Sequence, residues 1–173
     1  MNVRLPVLAL AAGLLLVAGA GTAPAGDELD MSTLKVKAPK DWEGEYNKAL
    51  KSWTYEKYIE VKGDDVRKPN RVYVDILPDD APTKMKDYAD SLKKKDFQDF
   101  NFVYTEVTEQ TEVDGGFLIK GLVKDHSDKA AKAEPGFVFV KKVKGTLVRV
   151  KSGTLVNEDM RKEAIELAKS ISG

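Results

Sequence analysis

The chain has no cysteine and one histidine, His126. Without cysteine there are no thiol nucleophiles, no thiolate metal sites, no redox pairs and no disulfides. The single imidazole sits in Lys124-Asp125-His126-Ser127-Asp128. A Ser–His–carboxylate triad draws its members from separate elements into a held geometry, and neighbours in one loop do not converge on each other. His126 therefore reads as a solvated loop residue. No serine lies in a Gly-x-Ser-x-Gly elbow. An excess of charge is missing too, since 28 Lys and Arg stand against 28 Asp and Glu. That balance gives no electrostatic footprint for nucleic acid. Gly115-Gly116 lies in a predicted hairpin, not ahead of a helix, so no phosphate-cradling loop is present. The acidic pairs Asp64-Asp65 and Asp79-Asp80 lack the alternating spacing and glycine of a calcium loop, and the second reads as the cap of a helix. No cofactor, metal ligand set or nucleic-acid partner is expected.

A long apolar run occurs only at the N-terminus. Arg4 precedes Leu5 to Val17, interrupted by Pro6 and Gly13, and two Ala-x-Ala sites follow, Ala18-Gly19-Ala20 and Ala23-Pro24-Ala25. This is the pattern of a cleavable secretory signal over residues 1–25. A retained anchor is the competing possibility, but the run falls short of the roughly 20 residues a spanning helix needs. The chain is expected to be exported, periplasmic or secreted, with no stable membrane insertion after cleavage. Residues 26–33 then form a flexible lead-in, and 34–173 a single domain.

What is present is period-two alternation. Leu34 to Ala38 alternates and predicts a first strand, closed by Pro39. Trp42, Tyr46, Leu50 and Trp53 are spaced near helical period, but Gly44 argues for a loop with a turn or two. Trp53, Tyr55, Ile59 and Val61 share one parity and predict a second strand, with Lys57 and Tyr58 as its irregularities. Arg71 to Leu77 predicts a third. Met85, Tyr88, Ala89 and Leu92 make one helical stripe over 82–95, entered at Asp79-Asp80-Ala81-Pro82. Phe102–Val113 and Phe117–Lys124 flank the turn Asp114-Gly115-Gly116. In the first of these strands Glu106 and Glu112 share a parity that Glu109 does not. Gly136 to Ser152 predicts a buried hairpin about Lys144-Gly145. Asn157 caps a last helix with the stripe Met160, Ala164, Leu167, Ala168 and Ile171. The order is β-β-β-α-β-β-β-β-α, an α+β fold with a mainly antiparallel sheet flanked by helices.

Trp42, Tyr46, Trp53, Tyr55 and Tyr58 form the candidate recognition surface, because aromatics are enriched where proteins recognise partners. They are also ordinary core material for a small sheet, the simpler reading of the five. Lys141, Lys142 and Lys144 with Arg149 and Lys151 form a second candidate, a basic patch at the hairpin turn, against the simpler picture of a solvated strand end.

The opening strand running into Pro39-Lys-Asp-Trp42, the strand–helix unit Val72 to Leu92, the following hairpins and the final Leu167-Ala-Lys-Ser170-Ile171 together resemble the PsbP and Mog-type superfamily. The resemblance implies an α/β/α sandwich and a non-catalytic binding or accessory domain. In that superfamily PsbP is an extrinsic subunit of photosystem II, and the Mog type binds a small GTPase. No family motif transfers a binding residue to this chain. The expected function is an exported binding or accessory domain with an unknown protein or small-ligand partner. The alternative is a small exported hydrolase using two facing carboxylates.

Overall fold

The computed structural model describes residues 29–60, 67–93, 102–125, 130–153, 155 and 157–173. The signal pattern, Asp64-Asp65 and His126 lie outside the described residues. Among the described residues, seven strands form one sheet: β1 (Glu43–Asn47), β2 (Ser52–Ile59), β3 (Lys68–Ile76), β4 (Phe102–Val113), β5 (Gly116–Asp125), β6 (Glu134–Val143) and β7 (Thr146–Ser152). Two α-helices accompany them among the described residues, α1 (Met85–Ser91) between β3 and β4 and α2 (Glu158–Lys169) after β7. The spatial order is β1-β2-β3-β7-β6-β5-β4, and every neighbouring pair is antiparallel. Two runs of consecutive strands thus meet at one seam, where β7 pairs with β3.

Both predicted tight turns close with two residues. Val113 pairs with Gly116 across Asp114-Gly115, and Val143 with Thr146 across Lys144-Gly145. The φ angles are 51° and 75° in the first and 45° and 90° in the second. Two successive left-handed residues match the twist of the strands they join, and glycine at the second position adopts that backbone without steric cost.

The pleat of β6 divides the core. Phe137 and Phe139 belong to one buried cluster with Val72, Val74, Val148, Val150, the α2 residues Met160, Ala164, Leu167 and Ala168, and Ile171 just beyond the helix. Val138 and Val140 belong to the other, with Ile119, Phe117, Tyr104 and the α1 residues Tyr88 and Ala89. Burial on both parities is why Phe137 to Val140 is a continuous apolar run. The α2 stripe is buried as its spacing predicts, and Asn157 Oδ1 accepts the Met160 N–H at 2.9 Å, satisfying one donor of the first turn.

Four expectations change. Leu34–Ala38 is not a strand of the sheet. It makes one bridge, Lys35 with Ser172, because β1 occupies the place beside β2. The segment read as a loop is that strand. Its reversal is closed by Asn47 Oδ1, which accepts from the backbone of Ala49 and Leu50 at 3.0 and 3.1 Å, and by Lys51 at φ 47°. Residues 29–33 of the expected lead-in are packed: Leu29 and Met31 are buried in the α2-side cluster, and Asp30 caps the short 3-10 turn Met31–Thr33. Finally, α1 begins at Met85, and Asp79-Asp80 does not cap it. Pro78 to Ala81 forms its own turn, Ala81 N–H to Pro78 O at 3.0 Å, which tucks Ala81 into the core.

Candidate recognition surface

The five aromatic residues separate according to the pleat. Tyr46 pairs in register with Trp53, and Tyr55 follows two residues on, so all three face the α2 side. Their rings form a row, with centroids 5.2 Å apart for Tyr46–Trp53 and 5.9 Å for Trp53–Tyr55. The Trp53 indole N–H donates to the Met31 carbonyl at 2.7 Å. Gly44 lies opposite Tyr55, and a Cβ there would come within 2.5 Å of the Tyr55 ring. The glycine that weakened a helical assignment is therefore the space the ring occupies. Burial pushes the Tyr55 phenol up to about 12, which keeps it neutral. Trp42 is also buried, and its indole N–H donates to Glu163 Oε2 on α2 at 2.8 Å. The same oxygen receives Lys57 Nζ at 2.7 Å. Lys57, irregular in the sequence pattern, is thus an inward-facing strand residue with a carboxylate waiting for it. Four of the five aromatics serve packing.

Tyr58 stands apart on the opposite face and is 54% exposed. It borders a shallow depression of about 440 Å³ lined by Glu43, Gly44, Glu45, Thr54, Glu56, Tyr58, Arg71 and Tyr73. The register explains the grouping: Glu43 is opposite Glu56, which is opposite Arg71, and Glu45 is opposite Thr54, which is opposite Tyr73. Glu56 organises the floor. Its Oε2 accepts the Tyr58 hydroxyl at 2.8 Å, and its Oε1 accepts Arg71 Nε at 2.6 Å. The Tyr58 bond holds the Glu56 carboxyl below its ordinary range, helped by Arg71 against the opposing effect of burial. The same bond pushes the Tyr58 phenol up. Glu43, Glu45, Glu56, Arg71 and Tyr73 were not singled out in the sequence. The available signal was the outward parity of β2 and β3, Thr54-Glu56-Tyr58 and Arg71-Tyr73.

Farther along this face, Asp75 pairs in register with Arg149 at the β3–β7 seam. Arg149 Nε and a terminal guanidinium nitrogen bind the two Asp75 oxygens at 2.8 and 2.7 Å, and Lys151 Nζ lies 3.1 Å from one of them. Arg149 and Lys151 are both buried. Lys141 Nζ donates to the Ile171 carbonyl at 3.2 Å, while Lys142 and Lys144 are exposed. The five cations expected at the hairpin end therefore do not form one surface patch.

The acidic β4 strand also differs from its parity. Register shifts follow Tyr104 and Val107, so that Glu106 lies opposite Leu122, Glu109 opposite Lys120 and Glu112 opposite Phe117. Glu106 and Glu109 therefore share a face that Glu112 does not. Glu109 is held down by Lys120 at 2.9 Å and then by Thr111. Glu112 faces α1, beside a hollow of about 600 Å³ shared with Thr83, Lys84, Met85 and the Asp114-Gly115 turn.

Among the described residues, no group of three or more His, Cys, Asp or Glu is disposed to hold a metal ion, and no helix is long and apolar enough to cross a membrane. No protein-family model matches the chain, and no curated protein matches its sequence.

Proposed function

We propose that this chain is an exported, non-catalytic binding or accessory domain that engages its partner through the Tyr58-bearing face of β1–β3. The two helices with their separate core clusters are read as the outer layers of an α/β/α sandwich of the PsbP and Mog type. The Arg4, Leu5–Val17 and Ala-x-Ala pattern supports export. The observation that carries the binding role is the depression beside Tyr58. It is open, it lies at the end of the sheet away from the β4 and β5 strands that α1 packs against, and its central carboxylate is committed to structure. A general acid requires a carboxyl raised toward the working pH. Glu56 is instead lowered by Tyr58 and Arg71, and both its oxygens accept hydrogen bonds from those two side chains, an arrangement suited to recognition and not to general-acid chemistry.

The test is site-specific photo-cross-linking in the native exported fraction. A benzophenone side chain at position 58 is expected to capture one discrete partner, and the same group at exposed Lys142 is not. Equal capture from both positions, or none from position 58, rejects the assignment of this face.

A further inference from the structure

The sheet ends at β1, and among the described residues no strand pairs with its outer edge. An unpaired strand edge presents backbone donors and acceptors ready for another extended chain. β1 also carries Glu43 and Glu45 on the face of the depression, both exposed and two residues apart. Side chains on one face of a strand recur every two residues, about 6.6 Å. A strand added beside β1 presents its own alternate side chains at the same interval, directly opposite these carboxylates. Opposite charges in such pairs are favourable and like charges are not. A second copy of β1 would bring the same glutamates onto this row, which disfavours self-pairing. Tyr58 and Tyr73 are also among the residues lining the depression, and aromatic rings attract ammonium and guanidinium groups. Leu50, 64% exposed at the β1–β2 turn, adds an apolar contact at the end of the edge.

We propose that β1 accepts a partner segment as an additional strand, and that this segment carries lysine or arginine at alternate positions facing Glu43 and Glu45. The proposal rests on the binding role assigned to this face and names the chemistry of its occupant.

The experiment measures binding of the full exported chain to a short peptide alternating threonine and lysine, with a threonine–glutamate peptide as counterpart. The lysine peptide is expected to bind, with affinity falling as salt is raised, and the glutamate peptide to show no binding. The double variant Glu43→Gln, Glu45→Gln is expected to weaken the lysine peptide by about tenfold or more, with an unchanged denaturation midpoint because both side chains are exposed. Backbone N-methylation of every threonine in one peptide and of every lysine in another removes the donors of one strand side at a time, and in one of the two, the one whose donors face β1, it is expected to abolish binding. Equal binding of the lysine and glutamate peptides overturns the proposal, as does indifference to both N-methylations or self-association of the protein through β1. Failure of the lysine peptide while position 58 still cross-links a partner overturns this inference alone. Failure of both overturns the surface.

Discussion

Glu163 shows how much one side chain can hold together. It reaches from α2 to the sheet and receives both Trp42 and Lys57 on one oxygen. Burial alone would raise its carboxyl, yet the bonds from Lys57 and Trp42 outweigh it and hold the group below its ordinary range. A lowered carboxylate contributes stability that is fully present above its unfolded pKa, about 4.3, and is lost as pH falls through the folded value. Glu163→Ala is therefore expected to cost roughly 1–3 kcal/mol at neutral pH, measured by urea denaturation. Its deficit against the parent should shrink in the acid range. A deficit that does not change with pH would show that the Lys57 charge plays no part. Tyr58→Phe tests the depression in a different way. Without the hydroxyl, Glu56 should titrate higher, followed by carboxyl NMR, while stability moves by less than about 0.5 kcal/mol because Tyr58 is exposed. A Glu56 titration unchanged in the variant would remove Tyr58 as its main partner.

At the scale of elements, caps and turns were the legible parts of the sequence. Asn157 ahead of two carboxylates marked the start of α2, and Asn157→Ala is expected to cost about 1 kcal/mol, seen as a lower urea midpoint. Lys144 holds a left-handed backbone that asparagine tolerates better. Lys144→Asn should therefore raise the midpoint by a few tenths of a kcal/mol, roughly the scale of a surface change, and a lowered midpoint contradicts the turn geometry. The element order β-β-β-α-β-β-β-β-α matches the structure, but its first strand was placed on the wrong residues. Leu34–Ala38 alternates as a strand should, and nothing local reveals that it reaches only Ser172. Glu43–Asn47 was hidden because Trp42, Tyr46 and Leu50 fall near helical spacing. Only the pairing with β2, with Tyr55 over Gly44, makes it a strand. In β4, two bulges redirected the glutamates, and bulges are decided by the facing strand. For the same reason the depression was not legible. It is a cross-strand product of three segments, each of which shows no more than ordinary outward parity.

At the scale of the whole molecule, the Asp75–Arg149 pair spans the seam between the two strand runs. Its partners are 74 residues apart in sequence. Removing one member of a buried pair strands the other charge, and Asp75→Ala is expected to cost about 3–5 kcal/mol. A loss below about 1 kcal/mol would mean that the remaining contacts of Arg149 and Lys151 suffice without the carboxylate.

The seam also has a kinetic consequence. The hairpins β1–β2, β4–β5 and β6–β7 close over short loops, whereas β3 and β7 are neighbours across α1 and the strands β4 to β6 that lie between them in sequence. Closing that long loop carries an entropic cost that contacts repay only afterwards. The β3–β7 pairing is therefore expected to form after the rate-limiting step. Asp75→Ala should then leave the folding limb of the chevron nearly unchanged and steepen the loss through faster unfolding. Slower folding of the variant would instead place the seam in the nucleus. The strand that joins the two halves would on this account be the last to lock and the first to let go.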